Sequence, residues 1–155
     1  MLQTAIRARL SRFTLCLVPF VLAGCFGASE PPIPETELVF GTVTLNGDPL
    51  ANAMVMFFPS GDTKGIECSG ITNEMGRFEL QHPRGPVGAP AGTYKVVVSH
   101  LVDRQGKPIV PDPNVPPADM GAVEALPPKY SSLDETVLSA QIPAAEGDIR
   151  LELKK

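Results

Sequence analysis

Apolar and polar residues alternate along most of the chain from residue 38 onward. Alternation with a period of two is typical of strands that bury one face. It predicts seven strands, near residues 38–46, 53–58, 66–72, 76–81, 93–102, 136–142 and 148–154. Tyr94, Val96 and Val98 share one face of the fifth strand and are predicted to lie in the core.

Turn residues separate these strands. Asn46-Gly47 is a dipeptide that favours a tight hairpin turn, and Gly76 supplies a positive φ after Asn73. Glycine and proline number 14 and 17 of 155 residues, a fifth of the chain, which excludes a bundle of long helices. The pattern predicts an all-β fold, a single seven-stranded β-sandwich.

A long segment, residues 103–135, precedes the last two strands and carries seven prolines. Proline cannot donate to a sheet, so this segment is predicted to be a loop. Its apolar stretch 126–130, together with Leu133, is expected to dock against the domain. Residues 103–125 are expected to stay mobile.

The strand at 53–58 is apolar on both faces. Ala53, Val55 and Phe57 share one face, and the opposite face carries Met54, Met56 and Phe58. Either the long loop covers this second face, or it is an exposed patch for a partner.

The N-terminal region has the features of an export signal. Three arginines, at positions 7, 9 and 12, precede an apolar run of 12 residues, 13–24. That run has the length of a signal-peptide core and is too short to span a bilayer. It ends in Leu22-Ala23-Gly24-Cys25, which resembles the lipobox of bacterial lipoproteins.

The lipobox resemblance implies cleavage before Cys25 and attachment of lipid, palmitate included, to that residue. The predicted organisation is then a signal peptide at 1–24, a lipidated Pro-rich tether at 25–37 and a domain at 38–155. Extended, residues 26–37 would span roughly 37 Å; alternatively they have no spacing role. The residue after Cys25 is Phe26, whereas the inner-membrane retention signal has an Asp at this position. The outer membrane is therefore favoured over the cell membrane. The domain is expected to face the periplasm or the cell surface.

Charge limits the range of partners. Removal of residues 1–24 would take away three arginines and change the formal net charge from −4 to −7. Basic residues form no run beyond the first twelve positions, which argues against nucleic acid as a partner.

Candidate catalytic chemistry is sparse. His82 and His100 lack the spacing of metal ligands and are expected to be solvated, roughly 20 Å apart if their strands form a hairpin. Cys16 leaves with the signal and Cys25 is lipidated, so Cys68 is alone and is predicted to be a small buried hydrophobe. The acids of the long loop lack the spacing of a calcium loop. We therefore expect no metal, no cofactor and no enzymatic activity.

Four segments, in order, resemble carboxypeptidase regulatory-like domains. They are residues 41–57, Thr72 with Gly76-Arg77-Phe78, residues 90–98, and Leu126-Pro127-Pro128-Lys129-Tyr130. With the lipobox, the order is similar to small lipoproteins of planctomycete bacteria. The resemblance implies a transthyretin-like, or prealbumin-like, sandwich with no conserved active site.

The expected function is that of a cell-envelope lipoprotein with a non-catalytic binding or structural module. Its lipid would bind the membrane, and its partner would be an envelope protein or a polysaccharide. The alternative is an accessory docking subunit of an envelope transport or secretion complex.

Overall fold

The computed structural model describes residues 32, 34–110, 115–116, 119–145 and 147–155. The signal segment, the lipobox residues 22–24 and Cys25 lie outside these residues. Residues Pro32–Lys155 form one compact unit. Within the described ranges, no helix has the length and apolar character that crossing a bilayer requires.

Twelve strands and one short helix occur in the described part of the chain. They are β1 (Thr36–Glu37), β2 (Phe40–Leu45), β3 (Asp48–Pro49), β4 (Met54–Ser60), β5 (Cys68–Ile71), β6 (Arg77–Glu79), β7 (Ala89–Pro90), β8 (Gly92–Ser99), β9 (Leu101–Val102), β10 (Val123–Glu124), α1 (Pro128–Ser131), β11 (Leu138–Ile142) and β12 (Ile149–Leu153).

The long strands form two sheets. Sheet A has the order β11-β8-β4-β5, and every neighbouring pair in it is antiparallel. In sheet B, β12 runs parallel to β2 on one side, while β3 and β6 pair with opposite ends of β2 on the other side. Two small pairs, β1 with β7 and β9 with β10, complete the fold.

One hydrophobic core draws side chains from both sheets. Phe57 on sheet A packs against Tyr94 of the same sheet and against Phe78 of sheet B, with ring centroids 5.8 and 6.2 Å apart. Alternation decides which residues enter: Val43, Leu151 and the other inward positions are buried, and their chain neighbours face outward. The predicted core positions on β8 (Tyr94, Val96 and Val98) are fully buried, as expected.

Both predicted turns have the expected backbone. Asn46 and Gly47 have φ of 55° and 96°, the two positive values that a tight Asn-Gly hairpin needs. Gly76 has φ of 71°, and a Cβ there would lie 2.5 Å from the carbonyl oxygen of Val43. Asn73 completes the second turn by accepting two backbone N–H groups with its side-chain oxygen.

The all-β class is confirmed, and each of the seven predicted strands has an observed counterpart. Four of the five two-residue strands were not predicted, because two residues cannot show an alternation. The fifth, β9, lies inside the predicted strand 93–102, which the structure divides into β8 and β9. One of the other four lies in the predicted tether: Thr36 and Glu37 pair with β7, so these two residues belong to the folded unit.

Part of the long loop packs into the core. Leu126 and Tyr130 are buried in the core cluster, as expected, but Leu133 is 39% exposed, so its predicted docking is wrong. The expectation that residues 103–125 lack fixed structure is also too broad. The Asp103 carboxylate accepts two backbone N–H groups in a turn, and Glu124 belongs to a strand.

Candidate interaction face

The outward face of sheet A carries an apolar stripe. Directly opposed residues of paired strands point to the same face. The register therefore aligns Ile71, Met54 and Ser99 in one row, and Ser69, Met56 and Val97 in the next. Phe58 lies opposite Lys95 in a third row. We call Met54, Met56, Phe58, Ile71 and Val97 the outer patch.

Burial is uneven across the outer patch. Met54, Met56 and Phe58 are half-buried, while Ile71 is 41% exposed. Val97 is only 3% exposed, although its side chain points away from the core. The outer patch is therefore buried at its β8 side and exposed at its β5 side.

The Glu124 carboxylate binds the part of the long loop around residues 124–126 (the stem) to the end of β8, beside the outer patch. It accepts the Ser99 hydroxyl at 2.7 Å and the His100 and Leu126 backbone N–H groups at 3.0 and 2.9 Å. Ser99 is the cross-strand partner of Met54, so the stem approaches that end of the patch. The sequence left two alternatives open, cover by the loop or exposure to a partner. At the β5 side of the outer patch, Ile71 is exposed.

His82 is buried, and the expectation that it is solvated is wrong. Only 2% of its surface is exposed. The chain turns back at residues 82–85, where the His82 carbonyl accepts the Gly85 N–H and the His82 N–H donates to the Pro86 carbonyl. Its Nδ1 accepts the Arg84 backbone N–H at 3.2 Å. Its Nε2 is enclosed and has no hydrogen-bond partner among the described residues.

His100 directly follows Ser99, the last residue of β8, and is partly buried. Burial lowers the pKa of His100 below its ordinary value, the Glu124 carboxylate opposes this effect, and the Lys155 ammonium adds to it. The strand that precedes His82, β6, pairs with β2 and not with β8, so the hairpin from which the separation of the two histidines was estimated does not exist. Among the described residues, no group of three or more His, Cys, Asp or Glu side chains is placed to hold a metal ion.

Cys68 lies in the core, as predicted. Burial, with a smaller effect from Glu67, raises the pKa of Cys68 to about 11. At neutral pH the thiol is protonated, and a protonated thiol is neither a nucleophile nor a metal ligand. Neighbouring Tyr94 is also fully buried, and its hydroxyl donates to the Pro90 carbonyl at 2.7 Å. This cysteine is a packing residue.

Two features of the site were missed by sequence reasoning. Glu124 gave no signal beyond an acid in a Pro-rich loop, because its three donors are brought together only by the fold. The burial of His82 could have been suspected from the turn residues Pro83 and Gly85, which reverse the chain directly after it.

No protein-family model, no curated protein and no solved structure matches this chain.

Proposed function

We propose that this protein is a lipid-anchored component of a bacterial cell envelope, with a non-catalytic β-sandwich that binds a partner or has a structural role. The lipid on Cys25 would hold the chain to the cell membrane or the outer membrane. The domain would face the periplasm or the cell surface.

One observation carries the proposal. The sequence Leu22-Ala23-Gly24-Cys25 ends a 12-residue apolar run behind three arginines, and a compact β unit begins only seven residues after the cysteine, at Pro32. This order of signal, cysteine, short linker and domain is what a lipoprotein requires. The buried Cys68 thiol and the enclosed His82 ring support a non-catalytic role, because neither group is open to a substrate.

The strand order supports a transthyretin-like sandwich of the carboxypeptidase regulatory-like type. Two sheets contribute side chains to one core, and the seven longest strands divide between them. The long loop precedes the last two of these strands, as the resemblance implies. The first and last long strands, β2 and β12, lie side by side and parallel, so a crossover connection and not a hairpin joins them.

Lipidation is tested by a matched pair of cysteine variants. Cys25→Ser should abolish labelling by radioactive palmitate and leave either a released protein or an unprocessed precursor. Cys16→Ser lies in the apolar run and should behave as the unchanged chain. Normal processing and membrane retention of Cys25→Ser would contradict the proposal.

The outer patch is the best-supported surface for a partner, since Ile71 is exposed and Met54, Met56 and Phe58 are only half-buried on an otherwise polar sheet face. A photo-crosslinking amino acid at Met56 should capture an envelope protein or polysaccharide in intact cells. The same residue at Gln141, exposed on edge strand β11, is the control and should not. Capture of a transport or secretion subunit would favour the docking-subunit alternative.

A further inference from the structure

The C-terminal strand β12 leaves one edge of sheet B open. Among the described residues, β12 has a strand neighbour on one side only, namely β2. The Leu153 carbonyl accepts the Asn46 N–H at 2.8 Å. Leu153, and with it Leu151 and Ile149, therefore direct their backbone N–H and C=O groups towards β2. Arg150 and Glu152, one residue out of phase, direct their backbone N–H and C=O groups to the open side.

The open edge is short because Tyr130 closes one end of it. The Tyr130 hydroxyl accepts the Lys154 backbone N–H at 3.1 Å and donates to the Lys154 carbonyl at 3.3 Å. Two residues, Arg150 and Glu152, remain with four backbone groups facing outward. These four groups form a template on which another strand can pair.

The charges along β12 select one kind of strand. Asp148, Arg150, Glu152 and Lys154 alternate in sign, and all four side chains are exposed. If an identical strand runs antiparallel about Leu151, each acid lies opposite a base. Arg150 then faces Glu152 of the second copy, and Glu152 faces its Arg150, at the two positions that Tyr130 leaves open. A row of like charges would repel its own copy, whereas this alternating row attracts it.

We propose that two copies of this chain associate through β12, antiparallel and centred on Leu151, so that sheet B continues from one copy into the other. In this register Arg150 and Glu152 of opposite copies form hydrogen-bonded pairs, since both direct their backbone groups outward. All four free backbone groups of each edge are satisfied. The interface is isologous, with the same segment contributed by each copy.

The interface is small, which sets its strength. One pair of five-residue strands buries less than the roughly 1,200 Å² of a standard stable interface, so a weak, reversible dimer is expected. The pairing itself does not depend on lipid attachment. Anchoring as proposed above would raise the effective concentration of the copies and increase the dimeric fraction.

Charge reversal provides the test. Each copy contributes one Arg150 and one Glu152, so the dimer contains two Arg150–Glu152 pairs. Arg150→Glu turns both pairs into two facing acids, and Glu152→Arg turns both into two facing bases. Each single variant should raise the dimer dissociation constant by at least about tenfold. The double variant should dimerise like the unchanged chain, and an equal mixture of the two single variants should form a heterodimer. Sedimentation velocity of the full chain in detergent, over a roughly hundredfold concentration range, measures all four cases.

Arg77→Glu is the matched control, because Arg77 is exposed on β6, across β2 from the open edge. It should leave the dissociation constant unchanged. A chain that stays monomeric at every concentration would overturn the proposal. Dimers that persist unchanged in Arg150→Glu would also overturn it, because they would use another surface. Recovery in the mixture shows that each single variant is folded, and circular dichroism gives an independent check.

Discussion

The core position of Cys68 makes the domain sensitive to alkali. In the folded chain, burial raises the pKa of Cys68 from its ordinary 9.0 to about 11. The unfolded chain therefore releases this proton at lower pH than the folded chain. Because the folded chain holds this proton more tightly, the protonated thiol contributes to the free energy of unfolding. This contribution is fully present below pH 9 and is lost as the pH rises from about 9 towards 11.

The size of the effect follows from the two pKa values. At 1.36 kcal/mol per pKa unit, the loss cannot exceed about 2.7 kcal/mol, and at pH 10.5 it is about 2 kcal/mol. Cys68→Ala removes the titrating group. At pH 7.5 the variant should be about 1 kcal/mol less stable than the unchanged chain, because a buried sulfur is lost. At pH 10.5 this deficit should disappear or reverse.

Urea unfolding followed by circular dichroism at both pH values measures the two free energies of unfolding. Ser69→Ala, the next residue on β5, is half-buried and does not titrate in this range, so it should retain the pH dependence of the unchanged chain. Burial, with a smaller effect from Cys68, raises the pKa of Tyr94 to about 12, so Tyr94 adds a smaller alkaline loss of stability in all three proteins, and this loss is reduced in Cys68→Ala. A stability difference between Cys68→Ala and the unchanged chain that is equal at both pH values would refute the reasoning.

Three further predictions concern the loop and the turns. Tyr130→Phe removes the hydroxyl that binds the backbone of the last strand and should lower the free energy of unfolding by about 1–2 kcal/mol; an unchanged denaturation midpoint would argue against this contact. Gly76→Ala should be more destabilising than Gly47→Ala by at least about 1 kcal/mol, because both have positive φ but only the first meets a backbone oxygen, at 2.5 Å; equal thermal unfolding temperatures would contradict this. Native trypsin should cut after Arg104 much faster than after Lys129, since the latter lies in α1, which packs into the core; mass spectrometry that finds similar rates would show that α1 is not docked.

Local signals account for what could be predicted from the sequence. Alternation identified the seven long strands, and the turn residues identified both glycine turns, because each depends on neighbours within a few residues. The burial of Cys68 and of Tyr94 follows from the same alternation. The pairing of Met56 with Ser69 and Val97 does not, since both partners are distant from it in the chain.

The sequence by itself determined the all-β class and the inward face of the strand that carries Tyr94, Val96 and Val98, since these depend on short stretches read in order. Only the tertiary structure decided which strands pair. The parallel neighbours β2 and β12 are about a hundred residues apart, and no local pattern encodes their contact. The same holds for the carboxylate of Glu124, whose donors come from two segments, and for the open edge at Arg150. These features arise when distant backbone groups must find hydrogen-bond partners around one core.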